Sequence, residues 1–228
     1  AIWKGLVGSE MCIRDSAGTL IAVVYYFRNE IFLMSKSLIV TNSFNKDKNL
    51  AIQLIIATIP IVILGFIFRD LISQRIFSIN DIAISNLIFA SILLFAFLNN
   101  KGKKTLINIT ILGACFIGLF QCFALIPGAS RSGAAITAGL LIGLSLKDAS
   151  KFAFLLAIPT ILGALTLLIF DLNNGNVSFD LLNTSIGFFT SMIFAFFTIK
   201  LFLKLVEKIG MIPFVIYRFL LGILLLII

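Results

Sequence analysis

The residues with the clearest chemical meaning form one short run, Pro127-Gly128-Ala129-Ser130-Arg131-Ser132-Gly133, which apolar sequence flanks on both sides. Arg131 carries a permanent positive charge and a planar fork of donors, which suits bidentate binding of phosphate oxygens. Ser130 and Ser132 add hydroxyl groups, and Gly133 lets the backbone approach a ligand closely. These residue types favour an anionic ligand, with phosphate as the best fit.

Other kinds of chemistry have little support in the residue types. The chain contains no histidine and 3 cysteines. The commonest general base and the commonest zinc ligand are therefore absent, and an odd number of cysteines does not form a disulfide framework. Gln121 and Arg218 are polar residues inside apolar runs. Gln121 could face a cavity or hydrogen-bond a neighbouring helix, whereas Arg218 needs a partner or water if it lies in a membrane.

The composition is that of a membrane protein. Hydrophobic residues make up 60% and charged residues only 12% of the 228 residues, which is too apolar for a soluble domain. The net charge of +8 comes from short basic clusters between apolar runs, so it indicates membrane topology and argues against nucleic acid as a partner. We predict an all-α polytopic membrane protein in which residues 1–228 form a single integral membrane domain.

The elements that position the phosphate-binding run are apolar segments of roughly spanning length. They lie at residues 17–27, 50–68, 82–98, 106–126, 152–170, 181–199 and 211–228. The apolar piece at residues 133–146 is shorter, because about 14 residues make a helix of about 21 Å, whereas the hydrocarbon core is about 30 Å thick. This piece is predicted to be a half-helix.

Loop charges predict how the chain turns at the run. Basic residues near positions 28–48, 101–104, 147–151 and 200–208 indicate cytoplasmic loops, and the less basic stretches 69–81 and 171–180 indicate the outside. A single span at residues 106–126 would place 101–104 and 147–151 on opposite sides. The conflict disappears if the chain enters the membrane, breaks at Pro127-Gly128 and returns through the half-helix. We therefore predict a re-entrant helical hairpin.

Irregular backbone at membrane depth must be buried in protein or line a wet cavity. Pro127 would end the incoming helix, Gly128 permits a positive φ, and either Ser130 or Ser132 could cap the outgoing helix. That helix would point its partially positive N-terminus at the anion. In the alternative interpretation, Arg131 snorkels or pairs with a structural partner, and the run is only a capped helix start. The spacing alone does not decide between them.

The run and its surroundings resemble one family. Residues 124–134 (ALIPGASRSGA) followed by 139–145 (GLLIGLS) are similar to undecaprenyl-diphosphate phosphatases of the bacitracin-resistance type. Supporting stretches lie at residues 18–24, 59–65, 154–159 and 212–219, so the resemblance extends from residue 17 to the C-terminus. Pro60 and Pro159 each follow an isoleucine, with Gly65 and Gly163 shortly after, which hints at an internal repeat, although two ordinary proline kinks explain the pattern better.

The resemblance implies a hydrolase of the acid-anhydride class in the bacterial inner membrane. Such an enzyme converts undecaprenyl diphosphate to undecaprenyl phosphate, recycles the lipid carrier of peptidoglycan synthesis and confers bacitracin resistance. It also implies inverted repeats, a divalent cation (Mg²⁺ or Ca²⁺), a polyprenyl diphosphate partner among membrane lipids and, as a further expectation, a homodimer. The candidate catalytic residues are Arg131 and Ser130. The candidate substrate-binding residues are Gly128, Ser132, Gly133, Gln121 and Arg218. No metal ligand can be assigned.

The N-terminus departs from the family pattern. The family has an early motif that is rich in Glu and ends in Gly-His, which supplies carboxylates, a hydroxyl and the catalytic His. Here residues 1–6 resemble its beginning, residues 7–16 (VGSEMCIRDS) replace it, and the pattern resumes at residue 17. The replacing string resembles translated sequencing-adapter read-through, although a genuine divergent N-terminus is the alternative. We expect residues 1–16 to be truncated or artefactual.

The expected consequence is a chain that binds a lipid diphosphate weakly and does not hydrolyse it, because the anion clamp is present and the catalytic half is missing. Two other functions are considered. A membrane transporter or lipid flippase for an anionic substrate would share the broken helices and the buried arginine. A non-catalytic membrane scaffold would need Arg131 packed against a protein carboxylate, with no cavity beside it.

Overall fold

The computed structural model describes residues 3–39, 46–68, 77–172 and 181–227, and throughout these ranges the regular structure is helical. The predicted all-α class is therefore confirmed. The helices are α1 (Trp3–Tyr26), α2 (Arg28–Ile39), α3 (Lys46–Ile67), α4 (Ile79–Asn99), α5 (Ile111–Gln121), α6 (Arg131–Leu141), α7 (Leu146–Leu172), α8 (Leu181–Ile209) and α9 (Ile212–Ile227). Short 3₁₀ turns at Leu106–Asn108 and Cys122–Leu125 flank α5.

Several of these helices suit a bilayer. In the described ranges, 4 segments are long and apolar enough to cross one: Lys46–Ile67, Ile79–Asn99, Leu146–Thr166 and Thr184–Ile209. They coincide with four of the predicted spans, and α9 is a shorter apolar helix of 16 residues at the predicted last span. The helix α1 begins well before its predicted start at residue 17, because its backbone stays helical through residues 7–16.

The hairpin around residues 127–133 consists of two short helices. Both α5 and α6 have 11 residues, which is about 16 Å of helix and roughly half of the hydrocarbon core. The incoming segment was predicted as a continuous run over residues 106–126, and this is wrong in its length. The side chain of Thr110 accepts a hydrogen bond from the Gly113 N–H, so α5 starts there, after an irregular polar stretch.

The two ends of the hairpin lie side by side, as the charge pattern predicted. The Lys104 N–H donates to the Gly143 carbonyl (3.2 Å), and the Ser145 N–H donates to the Lys104 carbonyl (2.9 Å). The Asn100 side-chain amide also donates to the Leu144 carbonyl (2.7 Å). The chain therefore leaves α6 at the same end of the molecule at which it approached α5, and the re-entrant hairpin is confirmed.

Ion pairs gather the other basic segments at this same end. Lys147, two residues after the hairpin ends, pairs with Glu207 near the end of α8 (2.8 Å). Lys151 pairs with Glu30 at the start of α2 (2.7 Å). The other two segments predicted to be cytoplasmic, 28–48 and 200–208, thus meet the hairpin ends, in agreement with a common side for all four.

The helix α6 occupies the centre of the fold. Every residue from Gly133 to Leu140 is buried, and α4, α5 and α7 pack around it. A helix that is apolar on all sides belongs inside a protein core. The helix pair α3 and α5 approaches closely beside it, because a Cβ on Gly118 would lie 2.5 Å from the Ala57 carbonyl oxygen. Small residues commonly allow such close helix contacts in membranes.

This contact gives a stability prediction with an internal control. Gly118→Ala would push a methyl group into the backbone of α3, so we expect it to lower the free energy of unfolding by about 1–3 kcal/mol. Gly65→Ala in α3 would meet only the Leu125 Cδ2 atom at 3.9 Å. Alanine favours helix more than glycine, so this variant should be neutral or slightly stabilising. Thermal unfolding in detergent measures both variants, and equal midpoints would contradict the packing assignment.

Candidate functional site

The turn between α5 and α6 has an unusual backbone. Gly128 has φ +95°, and a Cβ there would lie 2.4 Å from the Ile82 carbonyl oxygen of α4. Glycine is therefore required both by the dihedral angle and by the contact. Ser130 caps α6, because its Oγ accepts a hydrogen bond from the Gly133 N–H at 3.3 Å. Of the two serines considered as caps, the structure selects Ser130.

Ser130 is also strained. Its φ of +66° makes it the only non-glycine residue with a positive φ in the ranges that the structure describes. Such a conformation is uncommon for a serine and costs of order 1–3 kcal/mol, and strained residues concentrate at functional sites. This conformation places Ser130 at the N-cap position just before α6, while its side chain and that of Ser132 remain exposed at the cavity described below.

Arg218, on α9, holds the turn in place. Its Nη2 donates to the carbonyl oxygens of Gly128 (2.8 Å) and Ala129 (3.2 Å). The carbonyls that the broken helix leaves free at membrane depth are thus bound by a side chain, as a buried backbone requires. The sequence indicated that Arg218 needs a partner or water. Its partners are the backbone carbonyls of the turn and one amide side chain from α4.

That amide belongs to Asn86, a residue not identified from the sequence. The Arg218 Nε donates to Asn86 Oδ1 (2.8 Å), and Asn86 Nδ2 donates to the Arg218 carbonyl (2.7 Å). Asn86 is buried, on the face of α4 that also carries Ala83 and Ala90. In the sequence, Asn86 stands out only as an amide inside an apolar run. This is weak evidence for a functional role unless the helix that packs against Asn86 is known.

A cavity of about 320 Å³ lies against the turn. At one end it is lined by Ser130, Ser132, Gly133, Asn86 and Arg218, with Tyr217 beside them. The rest of its wall is apolar: Leu93, Ile136, Phe202, Met211, Phe214 and Leu221. A polar, cationic end continuous with an apolar wall suits a ligand that has an anionic head and a hydrocarbon tail.

The remaining candidates are placed differently. Arg131 starts α6 and is partly buried, but it does not line this cavity, and it has no hydrogen-bond or ion-pair partner within the described ranges. Gln121 ends α5, is 1% exposed, and also stands apart from the cavity; its Nε2 has no partner among the described residues. The cavity therefore brings together four of the seven candidates, namely Ser130, Ser132, Gly133 and Arg218, and Gly128 joins them through its carbonyl.

The cavity walls do not suit a divalent cation. Mg²⁺ and Ca²⁺ prefer carboxylate oxygens, and the lining residues include none. Over the described ranges no group of three His, Cys, Asp or Glu residues could hold a metal. No reaction step can therefore be derived from a metal held by the residues present at this site.

Ser130 allows strain and capping to be separated by mutation. Ser130→Ala removes the cap, which costs about 1 kcal/mol, and retains the strain; Ser130→Gly loses only a few tenths as a cap and relieves the strain. We therefore expect the glycine variant to unfold at the higher temperature, the reverse of the usual order of these two residues within a helix. Thermal unfolding of the two variants checks this, and a more stable alanine variant would contradict the strained geometry.

Comparison with known proteins identifies relatives over nearly the whole chain. A family model described as bacitracin resistance protein BacA matches residues 10–224. An undecaprenyl-diphosphatase of Alcanivorax borkumensis is 41% identical over 212 residues, which cover 92% of this chain and 80% of that protein. An undecaprenyl-diphosphatase of Alteromonas mediterranea is 42% identical over 209 residues, which cover 90% of this chain and 78% of that protein.

Proposed function

The chain belongs to the bacitracin resistance protein BacA family, and from this premise we propose that its hairpin turn binds the diphosphate head of undecaprenyl diphosphate. By family the protein is a hydrolase, an undecaprenyl-diphosphatase in which water cleaves the anhydride bond between the two phosphates. The products are undecaprenyl phosphate and inorganic phosphate. The same family membership accounts for the expected roles in cell-wall lipid recycling and bacitracin resistance.

The proposal rests on one observation: the cavity has both a polar, cationic end and an apolar wall. Its polar end lies at the N-terminus of α6 and contains two serine hydroxyls together with Arg218 of α9. Its remaining wall is apolar and formed mainly by α4, α8 and α9. A lipid diphosphate needs both parts, because its head requires donors and positive charge while its polyprenyl chain must stay out of water.

Each group at the polar end has a definable task. The first N–H groups of α6 and the helix dipole favour a phosphate at this position. Ser130 and Ser132 can donate hydroxyl hydrogens to phosphate oxygens, while Gly133 keeps the space beside them open. Arg218 supplies positive charge in the cavity wall, and Arg131, at the start of α6 but outside that wall, adds to the charge that opposes a diphosphate. Together these groups bind and orient the head group for cleavage.

Activation of water requires groups beyond these. We propose that the carboxylates of the family's Glu-rich, Gly-His motif would hold a divalent cation and that its histidine would supply a general base; residues 7–16 replace this motif here.

The location proposed is the bacterial inner membrane, which the protein crosses several times. A homodimer is proposed separately and is checked by cross-linking in native membranes. No observation favours the transporter alternative over the phosphatase.

Equilibrium binding tests the proposal without requiring catalysis. Purified protein in lipid nanodiscs is titrated with radiolabelled undecaprenyl diphosphate and, separately, with radiolabelled undecaprenol, which has the same chain and no phosphate. We expect the diphosphate to bind at least about tenfold more tightly, the effect of one hydrogen bond to a charged group. Equal affinities would show that the cavity selects only the hydrocarbon chain, and the proposal would then be wrong.

A further inference from the structure

Asn86 joins three parts of the molecule at the polar end of the cavity. Its side-chain oxygen accepts from Arg218 Nε (2.8 Å), and its side-chain nitrogen donates to the Arg218 carbonyl (2.7 Å). The backbone of the same helix turn meets the hairpin, because a Cβ on Gly128 would lie 3.2 Å from the Asn86 N. The amide thus uses both of its ends on one residue, so its orientation and that of the Arg218 guanidinium are mutually fixed.

These contacts leave one part of the guanidinium unused. Nε is bound by Asn86, and Nη2 is bound by the Gly128 and Ala129 carbonyls. Nη1 is buried and has no hydrogen-bond partner in the part of the chain that the structure describes. An unpaired buried donor costs free energy, and the cost is larger for a charged group than for a neutral one. A ligand oxygen at Nη1 would remove this cost.

Gly133 lets Arg218 Nη1 and the Ser130 hydroxyl lie close to the same point of α6. A Cβ at this position would lie 2.9 Å from Arg218 Nη1 and 3.2 Å from Ser130 Oγ. Any other residue would therefore press against the guanidinium and the hydroxyl, both of which belong to cavity-lining residues. A cation donor beside a hydroxyl is a combination that suits a phosphate oxygen.

We propose that Asn86 is a positioning residue that turns Arg218 Nη1 toward Gly133 and the Ser130 hydroxyl, where Nη1 donates to an oxygen of the substrate diphosphate. This inference rests on the proposed function and names the atom of Arg218 that binds the head group and the residue that orients it. Asn86 itself does not need to touch the substrate. Without it, Nε loses its acceptor, and the guanidinium can rotate away from Gly133 and Ser130.

The test measures head-group selectivity, defined as the affinity for undecaprenyl diphosphate divided by that for undecaprenol, in nanodiscs. We expect Asn86→Leu to lower this ratio by about tenfold, the size of one lost hydrogen bond to a charged group, while undecaprenol affinity stays unchanged. Asn99→Leu is the matched control, because Asn99 lies on the same helix, is exposed and donates only to the Phe95 carbonyl (2.9 Å). A merely structural role for Asn86 would lower both affinities together.

A double-mutant cycle shows whether Asn86 acts through Arg218. In the Arg218→Gln background, Asn86→Leu should cause no further loss of selectivity, because the group that it positions is gone. Additive losses would overturn the inference. If Asn86→Leu does not fold, Arg218→Lys takes its place, since lysine keeps the charge but lacks the Nε and the fork; unchanged selectivity in that variant would also overturn it.

The two proposals fail in different ways. If the wild-type protein does not distinguish undecaprenyl diphosphate from undecaprenol, the proposed function is wrong and this inference falls with it. If the wild-type protein distinguishes them and Asn86→Leu does so equally well, only the positioning role of Asn86 is wrong.

Discussion

A polypeptide of these 228 residues is expected to release no phosphate from undecaprenyl diphosphate above the background of empty vesicles, with either Mg²⁺ or Ca²⁺ present. The physical reason is that the hairpin turn supplies hydrogen-bond donors and positive charge but no group that activates water. The chain has no histidine, and residues 7–16 stand where the family's Glu-rich motif is expected. Phosphate release from purified protein is the measurement.

A chimaera provides the positive control. Residues 1–16 are replaced with the N-terminal segment of the Alcanivorax borkumensis relative, which is 41% identical to this chain over 212 residues. We expect hydrolysis to appear and to exceed the unmodified chain by at least about 100-fold, the lower range for one general acid or base. Hydrolysis by the unmodified chain that is lost in Arg131→Ala would show that the described residues suffice for catalysis.

Arg131→Gln is expected to reduce the affinity for undecaprenyl diphosphate by about 10–100-fold, the range for losing one or two hydrogen bonds to a charged group. Stability should change little, because Arg131 has no protein partner in the described ranges that its loss would leave unsatisfied. Binding and thermal unfolding are measured on the same preparation. A variant that binds the diphosphate as the wild type does would exclude Arg131 from the site.

The affinity and stability of Arg131→Gln are best compared with those of Arg218→Gln. Arg218 donates to Asn86 and to the carbonyls of Gly128 and Ala129, so its loss should lower both affinity and stability. Leaving buried carbonyls unpaired costs about 1–3 kcal/mol each. The two arginines are thus expected to separate into one that mainly binds and one that both binds and supports the turn. Equal stability losses in the two variants would contradict this separation.

The hairpin could be predicted from the sequence because its determinants are local. Basic residues at positions 101–104 and 147–151 mark one side of the membrane, and a proline-glycine step with a short apolar piece allows only a return. The same locality explains the correct expectation of a positive φ at Gly128. The extent of α5 was overestimated, because hydropathy does not register the Thr110 cap that starts this helix.

The site itself could be predicted only in part. The serines and glycines follow one another in the chain, so their proximity is guaranteed by the sequence. The contact between Arg218 and Asn86 joins residues 132 positions apart, and no pattern in one sequence shows which helix faces which. For the same reason, the sequence did not show that α4, α8 and α9 contribute the apolar wall of the cavity. Tertiary packing decides these contacts, and the periodicity of apolar residues does not show how the helices pack.

Site-specific photo-cross-linking tests most directly whether the lipid diphosphate binds at the hairpin turn. Benzoylphenylalanine is introduced at Tyr217, an exposed tyrosine that lines the cavity, or at Tyr25, an exposed tyrosine in an apolar groove between α1 and α8. Radiolabelled undecaprenyl diphosphate is then cross-linked in nanodiscs.

The account predicts strong labelling at position 217 that falls in the Arg131→Gln background, and weak labelling at position 25 that this change does not affect. Equal or stronger labelling at position 25, with no dependence on Arg131, would contradict it.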